Sequence, residues 1–334
     1  VFNYKNYKKN KDKIFFKKIP SNYKNFTIIN ETLVNCFLEK NIDESFLKLT
    51  NSSTIDYRRY VYFYINYLLL NNREKEAVNI IDKHTDIIKP NLLLDQTNQW
   101  MLENRHNEIT FMFSCKNPKH LLGEFFYVIS NLYAGEQYYK KSNFYLNLSL
   151  YFNPKFISNN MLLAENFMHI GNFKESKKIY KLFKKKNNIF HWHSVKKITL
   201  IDLDIENEDE NKSLNYLIKN FNSLKNPNIK ILFDMANFYR SSNKFKESID
   251  YYSKVINVLD KRNPYYADIL FRRGASYERI GMWRKSDADL MESLEINFEE
   301  PNVLNYLAYS WLERDYKIKE SMEMLLSAHK KKPK

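Results

Sequence analysis

Residues 271–297 read "FRRGASYERIGMWRKSDADLMESLEIN" and hold two of the five glycines in a chain of 334 residues. The stretch predicts a helical hairpin: a first helix over about 265–280, a break at Gly281, and a second helix over about 283–297. Gly281 suits a left-handed turn that a residue with a Cβ resists. Gly274 lies in mid-helix, where glycine costs about 1 kcal/mol relative to alanine. Close approach of a neighbouring helix is the natural compensation, and Ser286, the small residue twelve positions on, is its expected counterpart in the second helix.

The arrangement recurs. In "MLLAENFMHIGNFKESKKIYKLF" (161–183) the series runs Ala164, Phe167, Gly171, Ser176, Tyr180 and Phe183, and in "LFDMANFYRSSNKFKESIDYYSKV" (232–255) it runs Ala236, Tyr239, Phe245, Ser248, Tyr252 and Val255. In each case an aromatic follows the first small residue by three positions and the second small residue follows by twelve. Sliding this template along the chain places the second-helix position at Ser45, Ala77, Ile109, Ser142, Ser176, Ser213, Ser248, Ser286 and Ser321, with spacings of 32 to 38 residues. A helix–turn–helix unit repeating every 34 or so residues stacks into a solenoid whose core grows by addition. The expected architecture is all-α, with about nine antiparallel hairpins in one continuous solenoid over 25–333. The weakest stretch is 189–221, where the acidic run "DLDIENEDEN" expands the turn.

These residues resemble the tetratricopeptide repeat. The runs "GEFFYVISNLY" (123–133), "NLSLYFNPKF" (147–156), "ILFRRGASYERIGMWRKSDADLMESLEIN" (269–297) and "PNVLNYLAYSWLERD" (301–315) are similar to those of long alphaproteobacterial proteins of this type. Their distant relatives include outer-membrane lipoprotein adaptors that present substrates to periplasmic proteases. The resemblance implies a right-handed superhelical solenoid and a scaffold or adaptor role. It also suggests a periplasmic or outer-membrane-associated setting, although the composition suits the cytoplasm equally well. A solenoid needs polar caps at its ends, and none is evident here, so the parent protein is expected to continue in at least one direction.

Composition narrows the chemistry. The chain is 44% hydrophobic and carries a formal charge of +14. Eight lysines against one aspartate crowd residues 1–24, a basic segment expected to be flexible or a remnant, and four more lysines lie in 330–334. The intervening body is near neutral, which argues against a nucleic-acid partner. The longest apolar stretch, "VYFYINYLLL" (61–70), is about half the ~20 residues of a membrane span, so it reads as a buried helix. Cys36 and Cys115 lie far apart, with no CxxC or Cys/His spacing beside either, so neither a disulfide framework nor a zinc site is expected. The glycines are too scattered for a phosphate-binding loop. His191 and His193 sit at i and i+2, on different helix faces, and Asp202, Asp204 and Glu206 lack the glycine and terminal glutamate of a calcium loop. With no GxSxG or HExxH motif either, the sequence gives no catalytic residue, cofactor or metal site.

Binding is left as the expected activity. The inward-facing places lie three before, one after and four or five after the small residue of each first helix. They give Tyr127 and Asn131; Met161, Glu165, Met168 and His169; Phe233, Asn237 and Arg240; and Phe271, Glu278 and Arg279. Chaperone-binding members of the family use lysines, asparagines and an arginine there to clamp a terminal carboxylate. Tyr127, Met161, Phe233 and Phe271 occupy the lysine-type place here, so the expected ligand is a protein or peptide that offers an apolar helix or strand. The alternative is a nucleic acid or anionic membrane surface bound through the lysine-rich ends and the 174–186 stretch, where Lys174, Lys177, Lys178, Lys181, Lys184 and Lys185 share a helical face.

Overall fold

A computed structural model describes residues 24–51, 57–85, 91–205 and 209–332 of the protein. Its described residues form eighteen α-helices and no strand, and consecutive helices pair as hairpins. The first three hairpins are α1 (Lys24–Leu38) with α2 (Ile42–Thr50), α3 (Arg58–Leu70) with α4 (Glu74–His84), and α5 (Leu92–Leu102) with α6 (His106–Met112). They are followed by α7 (Pro118–Gly135) with α8 (Tyr139–Phe152), α9 (Asn159–His169) with α10 (Phe173–Tyr180), and α11 (Asn188–Leu200) with α12 (Glu210–Phe221). The last three are α13 (Ile229–Ser241) with α14 (Phe245–Val258), α15 (Tyr266–Arg279) with α16 (Trp283–Ile296), and α17 (Pro301–Leu312) with α18 (Ile318–Lys331). The fold is an all-α helical repeat solenoid. The described residues divide into two compact units, one ending at Lys225 and the other beginning at Asn226.

The small residues sit where the hairpin needs them. Eight of the nine second-helix positions, from Ala77 to Ser321, are at most 2% exposed, and Ser45 is half-buried. A Cβ on Gly274 would meet Leu290 Cγ at 3.0 Å and Asp289 Cβ at 3.1 Å, which accounts for a mid-helix glycine. Serines also tie second helices to first: Ser176 Oγ donates to the Ala164 carbonyl at 2.8 Å and Ser293 Oγ to the Ala267 carbonyl at 2.8 Å. Such bonds satisfy the buried hydroxyls and contribute about 1 kcal/mol each.

The turns share one backbone solution. Gly281 (φ 73°) and Gly171 (φ 77°) are left-handed, and so are Asn72, Asn104, Gln137 and Asn243 at the same place in their hairpins. In each, the next amide donates to a carbonyl five residues back, as Met282 N does to Tyr277 O at 2.9 Å and Arg73 N to Leu68 O at 2.9 Å. This bond closes the helix end. Asparagine tolerates the left-handed region, so the turn does not require glycine.

The first unit has an aromatic core. Phe63 stacks on Phe156 with centroids 5.6 Å apart and meets Phe113 edge-on at 4.4 Å. Tyr60 to Ile65 on α3 are all buried, consistent with the apolar run of that helix. In the second unit Leu290, Val303, Leu307 and Trp311 fill the seam between α16 and α17. Each such side chain, fully buried, contributes about 1.5–3 kcal/mol.

Three expectations need correction. Cys36 and Cys115, 79 residues apart, form a disulfide with Cα atoms 5.8 Å apart. The pairing is tertiary, so no local spacing announces it. The lysine face at 174–186 is not one helix: α10 stops at Tyr180, leaving Lys184 and Lys185 beyond it, and Lys177 is engaged by Asp202 at 3.1 Å. The acidic run begins as a π-helical turn, Ile201–Ile205, that extends α11. Residues 1–23, most of the expected basic segment, lie outside the described residues.

Candidate functional site

The first helices of the hairpins carry every residue expected to line a binding face, but the two units use these positions differently. In the first unit, Tyr127 on α7 is half-buried with the Arg59 guanidinium of α3 only 3.5 Å above its ring centroid. Arg59 Nε and Nη2 donate to Glu124 Oε1 and Oε2 at 2.8 and 2.7 Å, and Nη2 also donates to Asn159 Oδ1 at 2.9 Å. The Tyr60 hydroxyl donates to the same carboxylate at 3.2 Å. The pair is buried, fork-to-fork and further hydrogen-bonded, the arrangement that a buried ion pair needs in order to be tolerated.

On α9, Met161 is buried in the main core at 8% exposure and Met168 packs against that core. Glu165 approaches His193 of α11, with Oε1 to Nε2 at 3.4 Å, and Lys197 at 4.0 Å. Burial opposes ionisation of Glu165, but the nearby His193 imidazole and the charges of Lys197 and His169 outweigh it and hold the carboxyl below its ordinary value. Burial dominates at His193 and pushes the imidazole down in spite of Glu165. His169 stacks on Tyr139, with centroids 4.8 Å apart and planes at 8°. Asn131 is exposed.

In the second unit, side-chain bonds run from helix to helix across the face. The Tyr252 hydroxyl donates to Asn237 Oδ1 at 2.7 Å, and Arg272 Nη1 of α15 reaches the same oxygen at 3.3 Å. Arg272 also donates to Asp268 at 2.8 Å and stands 5.6 Å from the Phe233 ring centroid. Phe233 and Tyr252 are in ring contact at 6.1 Å. Burial, eased by Arg272 and Arg240, pushes the Tyr252 hydroxyl up to about 12. Farther along, Phe271 meets Tyr306 of α17 edge-on at 5.6 Å, and the Tyr306 hydroxyl donates to Glu278 Oε2 at 2.8 Å. Burial and then the bond to Glu278 raise the Tyr306 hydroxyl, while Arg240 and Arg279 act in the opposite sense.

Arg240 and Arg279 stand apart from this network. Arg240 is half-buried and Arg279 exposed, and neither forms an ion pair with a described carboxylate. Arg279 lies 5.7 Å from the Phe245 ring centroid. Sequence spacing found these two arginines. It did not single out Arg59, Arg272 or Tyr306, and it weighed His193 only as a metal ligand, because their partners come from helices 28 to 65 residues away. Among the described residues no group of three His, Cys, Asp or Glu side chains is placed to hold a metal, and no helix is long and apolar enough to cross a membrane.

Comparison with known proteins agrees with the repeat grammar over one hairpin. The tetratricopeptide repeat family model matches residues 229–258, which are α13 and α14. No curated protein sequence matches the chain. Among solved structures, Cut9 with Hcn1 from the APC/C hetero-tetramer aligns at 12% identity and a TM-score of 0.45, covering 95% of this chain and 63% of that one. The chain thus spans less than two thirds of that relative. MamA aligns at 12% identity and a TM-score of 0.32, covering 61% of this chain and 94% of its own. YrrB, described as a TPR protein with an unusual peptide-binding site, aligns at 10% and 0.31, covering 63% and 86%.

Proposed function

We propose that the protein is a non-catalytic scaffold that holds a protein or peptide along the face formed by the first helices of its hairpins, chiefly α13, α15 and α17. The observation that carries this reading is the second unit's face. Phe233 lies against Tyr252 and Arg272, Phe271 meets Tyr306 edge-on and the Tyr306 hydroxyl is bonded to Glu278, while Arg240 and Arg279 keep guanidinium donors unpaired with acid. Fixed aromatic surface gives contact area at little ordering cost, and free guanidinium groups add direction. The matched tetratricopeptide repeat lies at this place and supports an interaction role.

Site-specific photo-crosslinking in cells tests the reading. A benzophenone side chain at Arg279, on the face, is compared with one at Lys246, exposed on the second helix α14. Adducts to another polypeptide are expected from position 279 and not from 246. Adducts from 246 alone would contradict the assignment.

A further inference from the structure

The face on α13, α15 and α17 carries three arginines, and their situations differ. Arg272 is consumed internally: Asp268 neutralises it, Asn237 accepts from it, and Phe233 lies beside it. Arg240 and Arg279 occupy the last turns of α13 and α15, and neither meets a described carboxylate within ion-pair distance. Arg240, half-buried, has already lost part of its hydration and gains from an anion that restores its hydrogen bonds, the exposed Arg279 adds a second positive charge, and a carboxylate fits the guanidinium fork. Beside these groups Glu278 already holds one negative charge, hydrogen-bonded to Tyr306. Two guanidinium groups beside one carboxylate leave a single positive charge to match, which a second monoanion balances and a phosphate dianion exceeds. Next to the charge lies the apolar edge of Phe271 against Tyr306.

We infer that this face selects an extended peptide segment in which an internal Asp or Glu side chain engages Arg240 and Arg279 while an adjacent apolar side chain packs on Phe271. The inference rests on the peptide-binding reading above and adds the chemistry of the ligand. The positions that would grip a terminal carboxylate with lysine hold Phe233 and Phe271 instead, so the acid comes from within the segment.

The test pans a phage-displayed library of random peptides of about twelve residues on the intact protein, and in parallel on Arg240→Gln/Arg279→Gln and Phe271→Ala variants whose helical content matches wild type. Displayed peptides have no free C-terminus, so enrichment of acid reports internal carboxylates. Selected sequences are expected to place Asp or Glu at a fixed offset from a large apolar residue. The arginine variant should lose the acidic preference and keep the apolar one. In solution, replacing the acid of a selected peptide by its amide should weaken binding about tenfold. Selection of apolar peptides with no acidic preference would overturn this inference and leave the binding face standing. Enrichment unchanged by either variant would overturn both. Tighter binding of a phosphoserine version would identify a phosphopeptide ligand and contradict the carboxylate assignment.

Discussion

In the first unit Tyr127 lies beneath the Arg59 guanidinium and Met161 is buried in the core, whereas in the second unit Arg240 and Arg279 meet no described acid. Their counterparts on α9 are Met168, packed against the core, and His169, stacked on Tyr139. One hairpin grammar therefore serves two ends. Where a neighbouring helix supplies a partner, as α3 supplies Arg59, a face position becomes structural. Where none is supplied, the same position is not committed to packing. Repeat position sets where a side chain points, and the neighbouring repeats decide whether it is used.

The largest expected effect breaks the internal network of the first unit. Glu124→Ala leaves Arg59 buried without its acid and should destabilise that unit by about 3–5 kcal/mol, read by denaturant unfolding and by hydrogen exchange in the intact chain. Arg59→Met with Glu124→Leu should recover most of the loss, because apolar pairs of similar volume replace buried ion pairs at little net cost. A mild effect of Glu124→Ala alone would mean that the first unit's face is less committed to packing than its geometry indicates.

Opening the Cys36–Cys115 disulfide should come next. It closes a loop of 79 residues, and its reduction or Cys115→Ser should cost about 2–4 kcal/mol. Two titratable thiols in the native, unreduced protein would contradict the pairing.

Gly274→Leu probes the second unit. The first added carbon already crowds Leu290 and Asp289, and Asp289 is held by Arg273 at 2.7 Å, so the neighbours yield little. The expected loss is about 1–3 kcal/mol, with faster amide exchange concentrated in α15 and α16, whereas stability and exchange matching wild type would contradict the contact.

How much of this was visible in the sequence depends on range. The Gly274–Ser286 spacing placed α15 and α16 to within a residue or two, because the constraint acts inside one hairpin. Turns carrying Asn72, Asn104 and Asn243 were less legible, since asparagine hides a left-handed backbone that glycine announces. The disulfide, the Arg59–Glu124 pair and the Glu165–His193 contact join helices far apart in sequence, and no local pattern encodes them. For the candidate site, spacing named positions on α13 and α15 but could not tell Asn237, occupied by Tyr252 and Arg272, from Arg240.

A smaller effect is expected from acid. Burial holds His120, His191 and His193 below their ordinary value, all in the first unit, whereas the second unit has the single exposed His329. Depressed histidines favour the neutral form when folded, so their contribution is complete above the ordinary histidine value and is lost as pH falls below it. Lowering pH from about 7.5 to about 5.5 should therefore weaken the first unit by on the order of 1 kcal/mol and leave the second nearly unchanged, as read by hydrogen exchange. Equal weakening of both units would assign the acid response elsewhere.

The most direct test of the central claim is the affinity of Phe233→Ala and Arg240→Ala for a partner recovered by crosslinking or a peptide recovered by panning, with helical content measured alongside. Both variants should stay folded and bind more weakly, Arg240→Ala by about tenfold or less, since the guanidinium is only half-buried. Full affinity in both folded variants would contradict the claim that this face is where the protein binds.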